Sequence, residues 1–433
     1  MENLTLEYGP QIEETMLSAG LDYYKLTMGQ LQFEKHEDKE VTFTFKNRGE
    51  QRIADYVNVD DLKARFEQIR QAGWSQDELD YIGDIKRSNG QAMFSPEYTN
   101  FLANNELPEV NVRIDEKTND IAIDSTGKWP LVTFWETIIM NQVSEMYFDN
   151  YVRVNNLDIE DLYKQGDKNL DEWTDYLKAN TDVKIAEFGT RRRFSTRWQK
   201  HVTERLANEC PENLIGTSNV GLAKTLGLTA VGTFAHEMPM VYAAIADAKG
   251  EDVRESHNQM LRDWEDEYSP DLLTALSDTF TSEFFYEDFK KDQAEDWGGP
   301  RHDSGNPVQF TDKTIDYYER QDVDPRVKTI MFSDSLNRNK VQMLHEYVQG
   351  KINDRYGIGT NLTNNLGPEI KSLNVVAKAT HVKLADGREA DTVKLSDDPG
   401  KHTGPDELAK RYAEEIFNTR VKEKRNEHYT TTV

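Results

Sequence analysis

From Val183 onward the chain repeats one rhythm: a short β-prone run, then a helical pattern, then another run. The runs are VKIAEFG, NLIGTSN, TAVGTFAHE, LLTALSDT, WGGPRHDSG, KTIMFSDS and RYGIGT. Between most of them lie amphipathic stretches such as RRFSTRWQKHVTERLANE, VRESHNQMLRDWEDEY and NRNKVQMLHEYVQ. Strands alternating with helices predict parallel strands joined by crossovers. About seven such strands close most readily as an irregular α/β barrel, with an open doubly wound sheet as the competitor. Every run ends in small or chemically capable residues. In a β/α barrel all C-terminal strand ends face one mouth, and the site lies there.

The residues before Val183 mix types differently. LDYYKLTMGQLQFEKH and VDDLKARFEQIRQAG read as helices, VTFTFKNR alternates as a strand, and EVNVRID with DIAID reads as a hairpin. PLVTFWETIIMNQVSEMYF reads as one long, mostly apolar helix. After the barrel, LNVVAKATHVKLADGREADTVKLS reads as strands with a DG turn, followed by a helix over DELAKRYAEEIF. This tail is expected to pack back on the first block. The expected organisation is an N-terminal α/β sandwich domain of residues 1–180 completed by C-terminal strands of 370–433, and a barrel of residues 181–369.

The formal net charge of the 433-residue chain is −26. So acidic a surface repels phosphate backbones and anionic lipids, which argues against nucleic-acid and membrane partners. No apolar run approaches the ~20 residues of a membrane span. The N-terminus lacks a basic-then-apolar leader, and the one cysteine, Cys210, allows no intrachain disulfide. A cytoplasmic protein is the expectation. An anionic substrate would need basic residues concentrated locally against the global field.

Such concentrations exist at the strand ends. Arg191 leads the cluster 191–193, extended by Arg197, and a guanidinium fork there could grip carboxylate or phosphate; surface ion pairing is the plainer alternative. Phe188 could offer a ring face to a planar ligand or serve the core. In RHDSGNP, Arg301 supplies a cation, and Asp303 could hold a ribose hydroxyl or a metal-bound water. A simple turn would explain Asp303 and Gly305 but not Arg301. Ser277-Asp278-Thr279 ends another run. Ser333 and Asp334, with Gly357, Gly359 and Thr360, could share a sugar phosphate. His236 is followed by Glu237. A carboxylate on one ring nitrogen fixes the tautomer and activates the other nitrogen, for proton transfer or for a covalent phosphohistidine. No direct metal ligand is singled out.

Taken together, DYYK (22–25), EFGTRRRFS (187–195), GTSN (216–219), GTFAHE (232–237), RHDSGNP (301–307), FSDS (332–335), YGIGT (356–360) and KLSDDPGK (394–401) resemble the nicotinate phosphoribosyltransferase family, from about residue 20 to 403. The resemblance implies that nicotinate and phosphoribosyl pyrophosphate are joined to give nicotinate mononucleotide and pyrophosphate in NAD salvage. It implies coupling to ATP hydrolysis through a phosphohistidine, which falls on His236, and a need for Mg²⁺. It also implies a homodimer whose sites borrow an N-terminal aromatic from the partner; that aromatic is Tyr24, with Tyr23 beside it as the alternative. Tyr24 and Phe188 would sandwich the pyridine ring. Arg191 and Arg301 would neutralise the anionic groups, Asp278 and Asp303 would lie near the ribose or Mg²⁺, and Asp334, Gly357, Gly359 and Thr360 would hold the 5′-phosphate. Related nicotinamide enzymes carry an aspartate where this chain has Ser218, and a hydroxyl there favours the acid over the amide. The alternatives are a nicotinamide phosphoribosyltransferase and a catalytically silent nucleotide-binding barrel. The roles of Lys394, Ser396 and Lys401 stay open between contacting ATP and closing a domain interface.

Overall fold

The computed structural model describes residues 16–398 and 402–417; Lys401 lies outside them. The first block supplies three strands, β1 (Glu40–Asn47), β2 (Val110–Ile114) and β3 (Ile121–Lys128). In β1 the alternation seen in sequence buries Val41, Phe43 and Phe45 on one face. The second block supplies β4 (Ile185–Glu187), β5 (Leu214–Thr217), β6 (Thr274–Leu276), β7 (Gly299–His302), β8 (Thr329–Phe332) and β9 (Asn353–Ile358). Two late strands follow, β10 (Val375–Lys383) and β11 (Glu389–Asp391), joined through Gly387 at φ +87°, a left-handed position natural to glycine.

Two sheets result. One is antiparallel, in the order β11-β10-β1-β3-β2, so the C-terminal strands do return to the first block. The other has the order β5-β4-β9-β8-β7-β6, and its pairs are all parallel. The helix of residues 406–417 does not follow β10 and β11 to the first block. Its Ala409, Tyr412 and Ile416 pack with Ala243, Val253, Phe280 and Phe284 of the second.

Six of the seven expected runs form ladder strands. The seventh, TAVGT, contributes one parallel bridge, Ala230 to Thr217. The helix Tyr24–His36 explains this. Its first turn stands against Gly232, where an added Cβ would lie 3.3 Å from the Tyr24 nitrogen. Side chains replace the missing ladder: Thr27 Oγ1 donates to the Thr233 carbonyl at 2.7 Å, and Thr233 Oγ1 donates to the Thr274 carbonyl at 2.9 Å. The barrel is therefore irregular at one seam, and that seam brings the N-terminal helix to the mouth.

The long apolar helix expected over 130–148 is interrupted. Trp129–Val132 and Trp135–Val154 are separate helices. At the joint the Glu136 N–H donates to the Thr133 carbonyl, three residues back. The offset brings Trp129, Thr133 and Glu136 to bear on the seam.

Candidate active site

Because β4 to β9 are parallel, their C-terminal ends gather Phe188, Ser218, Asp278, Asp303, Ser333, Asp334 and Gly359 at one mouth, together with His236. His236 immediately precedes the helix Glu237–Lys249. Its Nδ1 faces Thr279 Oγ1 at 2.9 Å. Its Nε2 faces Asp303 Oδ2 at 3.0 Å and Lys394 Nζ at 2.9 Å, with Asp278 Oδ1 at 3.6 Å. Burial, and then the Lys394 ammonium, lower the pKa of this imidazole and keep it neutral. Lys394 and Asp303 ask opposite tautomers of Nε2, since an ammonium needs its lone pair and a carboxylate its proton. Asp303 is a poor base: burial is outweighed by Arg301 and His236, which hold its carboxyl well below the usual range. The tautomer with the lone pair on Nε2 and the proton toward Thr279 satisfies Lys394.

Glu237 does not orient His236, contrary to expectation. Successive residues at a helix start point in different directions, and Glu237 turns inward. Its carboxylate pairs with Lys25 and accepts from Trp129 Nε1 at 2.6 Å, Thr133 Oγ1 at 2.8 Å and Gln32 Nε2 at 3.0 Å. Burial raises its pKa. The carboxylate at the histidine is Asp303, which Arg301 Nη2 fixes at 2.7 Å and Ser333 Oγ at 2.8 Å. Asp278 is buried. Its Oδ2 accepts from Ser304 Oγ at 2.5 Å and Lys394 Nζ at 3.0 Å, while Oδ1 has no hydrogen-bond partner among the described residues. Burial opposes its ionisation, but His236 and Lys394 outweigh that and lower its pKa.

A second cluster lies at the seam. The Arg191 guanidinium stands 5.9 Å from the Tyr24 ring centroid, 3.5 Å from Asp22 Oδ2 and 3.6 Å from Glu136 Oε1. These are ion-pair distances, so the fork remains available to a ligand. Tyr24 Oη reaches Glu136 at 3.4 Å. Tyr24, not Tyr23, faces this cluster; Tyr23 is buried edge-on to Phe94. Tyr24 thus stands beside Arg191 and Glu136 of its own chain. Ser218 Oγ donates to Asp22 Oδ1 at 2.7 Å. A carboxylate therefore does stand beside residue 218, supplied by Asp22.

The remaining expected residues divide. The Phe188 ring, half-buried, lies against Gly357, where an added Cβ would be 2.3 Å from a ring carbon. Gly359 and Thr360 open a single helical turn, Thr360–Thr363. Asp334 is held by Lys340 and Ser335 rather than by the histidine cluster. Arg193 is structural, buried against Glu145 at 2.5 Å and the Ala19 carbonyl at 2.7 Å, and Arg197 covers the Tyr163 ring. Lys394 touches the histidine, and Ser396 Oγ donates to Ser304 Oγ at 3.3 Å. Sequence reasoning missed Asp22, Lys25, Glu136 and Thr279 as site residues. Asp22 and Lys25 sat in a motif already noted, and Glu136 was one of only two acids in an otherwise apolar helix pattern.

His236, Asp278 and Asp303 each offer a ligand atom within 4.8 Å of the others, a spacing that could hold a cation. No helix among the described residues is long and apolar enough to cross a membrane.

The model of the nicotinate phosphoribosyltransferase N-terminal domain matches residues 20–144, and that of the nicotinate phosphoribosyltransferase family matches residues 183–421. The crystal structure of nicotinate phosphoribosyltransferase from Porphyromonas gingivalis superposes with a TM-score of 0.83 at 31% identity, covering 93% of this chain and 98% of that one. The enzyme of the same name from Vibrio cholerae gives 0.81 at 27% identity, covering 97% and 99%. With more than half of its length matched by the family model and nearly all of it superposed on these structures, the chain belongs to the nicotinate phosphoribosyltransferase family.

Proposed function

We propose that the protein joins nicotinate to phosphoribosyl pyrophosphate, forming nicotinate mononucleotide and pyrophosphate, and that ATP hydrolysis is coupled to this transfer through phosphorylation of His236. The observation that carries the reading is the fixed, neutral imidazole, with Nδ1 on Thr279 and Nε2 beside the Lys394 ammonium. Nε2 attacks the γ-phosphorus of ATP, ADP leaves, and Lys394 neutralises charge on the transferred group. Hydrolysis of the phosphohistidine later returns the free ring.

In the transfer itself the pyridine nitrogen supplies the electron pair that forms the bond to ribose C1, and pyrophosphate departs with the pair of the broken bond. No general base is needed. Tyr24 and Phe188 orient the ring, and Arg191 turns from Asp22 and Glu136 to the carboxylate. The Asp278 and Asp303 carboxylates lower the energy of positive charge developing on the ribose. They also fit Mg²⁺, since the unpartnered Asp278 Oδ1 is a hard oxygen donor. Mg²⁺ bound there would neutralise the departing pyrophosphate.

Asp22 beside Ser218 gives the amide substrate a second hearing, because its carboxylate could accept from an amide N–H. Offering nicotinate and nicotinamide together with phosphoribosyl pyrophosphate, Mg²⁺ and ATP decides the matter by mass spectrometry. Nicotinate mononucleotide is expected, with an acid-labile phosphoryl group on His236 that His236→Ala lacks. Nicotinamide mononucleotide would overturn the substrate, and ATP hydrolysis surviving in His236→Ala would overturn the phosphohistidine.

A further inference from the structure

Most of the guanidinium groups at the mouth already have an occupation. Arg191 lies between Asp22 and Glu136, Arg193 is buried on Glu145, and Arg301 holds Asp303 and donates from Nε to Ser333 Oγ at 2.9 Å. Arg192 differs. Its side chain forms no hydrogen bond, ion pair or ring contact among the described residues, although it is half-buried. A half-buried cation with no direct partner is open to an anion from outside the chain.

The backbone shows where that anion stands. Thr190–Arg192 form a tight turn directly after β4. The turn is laced to the loop after β9: Asn364 Nδ2 donates to the Arg192 carbonyl at 2.8 Å, and Thr363 Oγ1 donates to the Gly189 carbonyl at 3.1 Å. Burial first, then the neighbouring Arg191, push the Arg192 guanidinium down to about 10, and the opposing attraction comes from Asp303 and Asp334. The side chain therefore feels the ends of β7 and β8, while Arg191 lies beside Tyr24 at the seam. Asp334 pairs with Lys340 at 3.6 Å and makes no ion pair with Arg192 among the described residues.

We propose that Arg192 is the cation that grips the 5′-phosphate of the phosphoribosyl substrate, between the ends of β4, β8 and β9. A phosphate monoester presents three acceptor oxygens to the guanidinium fork, and the Gly359-Thr360 turn beside it supplies no cation of its own. The assignment rests on the transferase reading above and adds to it a residue that the acid-binding and histidine clusters do not use.

Calorimetric titration of ribose 5-phosphate and, separately, of nicotinate into the wild type, Arg192→Gln and Arg192→Lys tests it. Arg192→Gln is expected to weaken ribose 5-phosphate about 10- to 100-fold, the range of a charge-assisted hydrogen bond, and to leave nicotinate unchanged. Arg192→Lys recovers part of the loss, because it restores the charge without the fork. Equal ribose 5-phosphate affinity in wild type and Arg192→Gln overturns the assignment alone. Loss of nicotinate binding instead assigns Arg192 to the carboxylate and also overturns it. A wild type that binds no ribose 5-phosphate overturns the transferase reading with it. Thermal unfolding supplies an independent check: Arg192→Gln should unfold no earlier than wild type, and a lower midpoint would reveal an internal partner and sink the proposal.

Discussion

Lys25 is the residue whose removal the structure makes most consequential. Its ammonium is wholly buried and lies 2.5 Å from Glu136 Oε2 while also pairing with Glu237. Both carboxylates are nearly buried, with side chains 10% and 3% exposed. Lys25→Met keeps most of the volume and leaves two carboxylates facing each other without their shared cation. Breaking a buried pair from one side costs about 3–5 kcal/mol. The three neutral donors on Glu237 and the distant Arg191 on Glu136 offset part of this, which places the loss near 3 kcal/mol. Against a typical total of about 5–15 kcal/mol, that is a large fraction of the stability.

The pH dependence gives the prediction a second arm. Burial raises the Glu237 pKa above the usual 4.5. Between these two values the native state holds a proton that the unfolded state lacks, so stability falls as pH rises through that window. Losing Lys25 raises the folded value further and widens the window. The deficit of Lys25→Met should therefore be largest at neutral pH and shrink as the pH approaches 4.5. Urea unfolding of wild type, Lys25→Met and Lys25→Met/Glu237→Gln at several pH values measures this. The double variant should recover about half the loss, because glutamine keeps an acceptor for Trp129 and Thr133 without the charge. A Lys25→Met protein within about 1 kcal/mol of wild type at pH 7 would show that the pair is not what holds the seam.

Mixed preparations of Tyr24→Ala and His236→Ala should regain no transfer activity, because Tyr24 contacts Glu136 and Arg191 of its own chain; recovery in verified mixed dimers would refute this. Gly357→Ala should displace the Phe188 ring, since the new Cβ would lie 2.3 Å from it, and raise the KM for nicotinate on the order of 10-fold; an unchanged KM would remove Phe188 from the ring subsite. Glu187, buried and pushed up to about 7, keeps its proton in the native state from the usual 4.5 upward. Stability should therefore decline across that window by about 3 kcal/mol, and Glu187→Gln should flatten the decline in urea midpoints measured from pH 5 to pH 8.

The barrel was legible because periodicity is a local property. Each run carried its own strand signal, and parallel pairing then forced all the polar ends to one side. What sequence could not supply was the partner of a given side chain. His236 was matched with Glu237 because they are adjacent, yet its partners are Thr279, Asp303 and Lys394, brought there by three different strand ends and loops. The TAVGT run looked like its neighbours, and only the intrusion of Tyr24 at Gly232 reduced it to one bridge. Ser218 looked like a statement about substrate charge. The carboxylate it lacks is delivered from Asp22, 196 residues away in sequence. Local pattern fixes elements; side-chain pairing across long separations fixes chemistry.

The same distinction answers how a chain of net charge −26 can hold anionic substrates. The global field repels a phosphate only outside the mouth, and its reach is about 8–10 Å at ordinary salt. Inside, most acids are committed to internal partners: Asp303 to Arg301, Asp278 to Lys394, Glu136 and Glu237 to Lys25, and Asp334 to Lys340. What an incoming ligand meets is the remainder after these pairings. Among the described residues, that remainder includes the loosely held Arg191, the unpaired Arg192 and one bare oxygen of Asp278. The two cations suit the carboxylate of nicotinate and the phosphates of phosphoribosyl pyrophosphate. The surface charge of the chain therefore carries little information about its ligands, and the unpaired residue at the strand ends carries most of it.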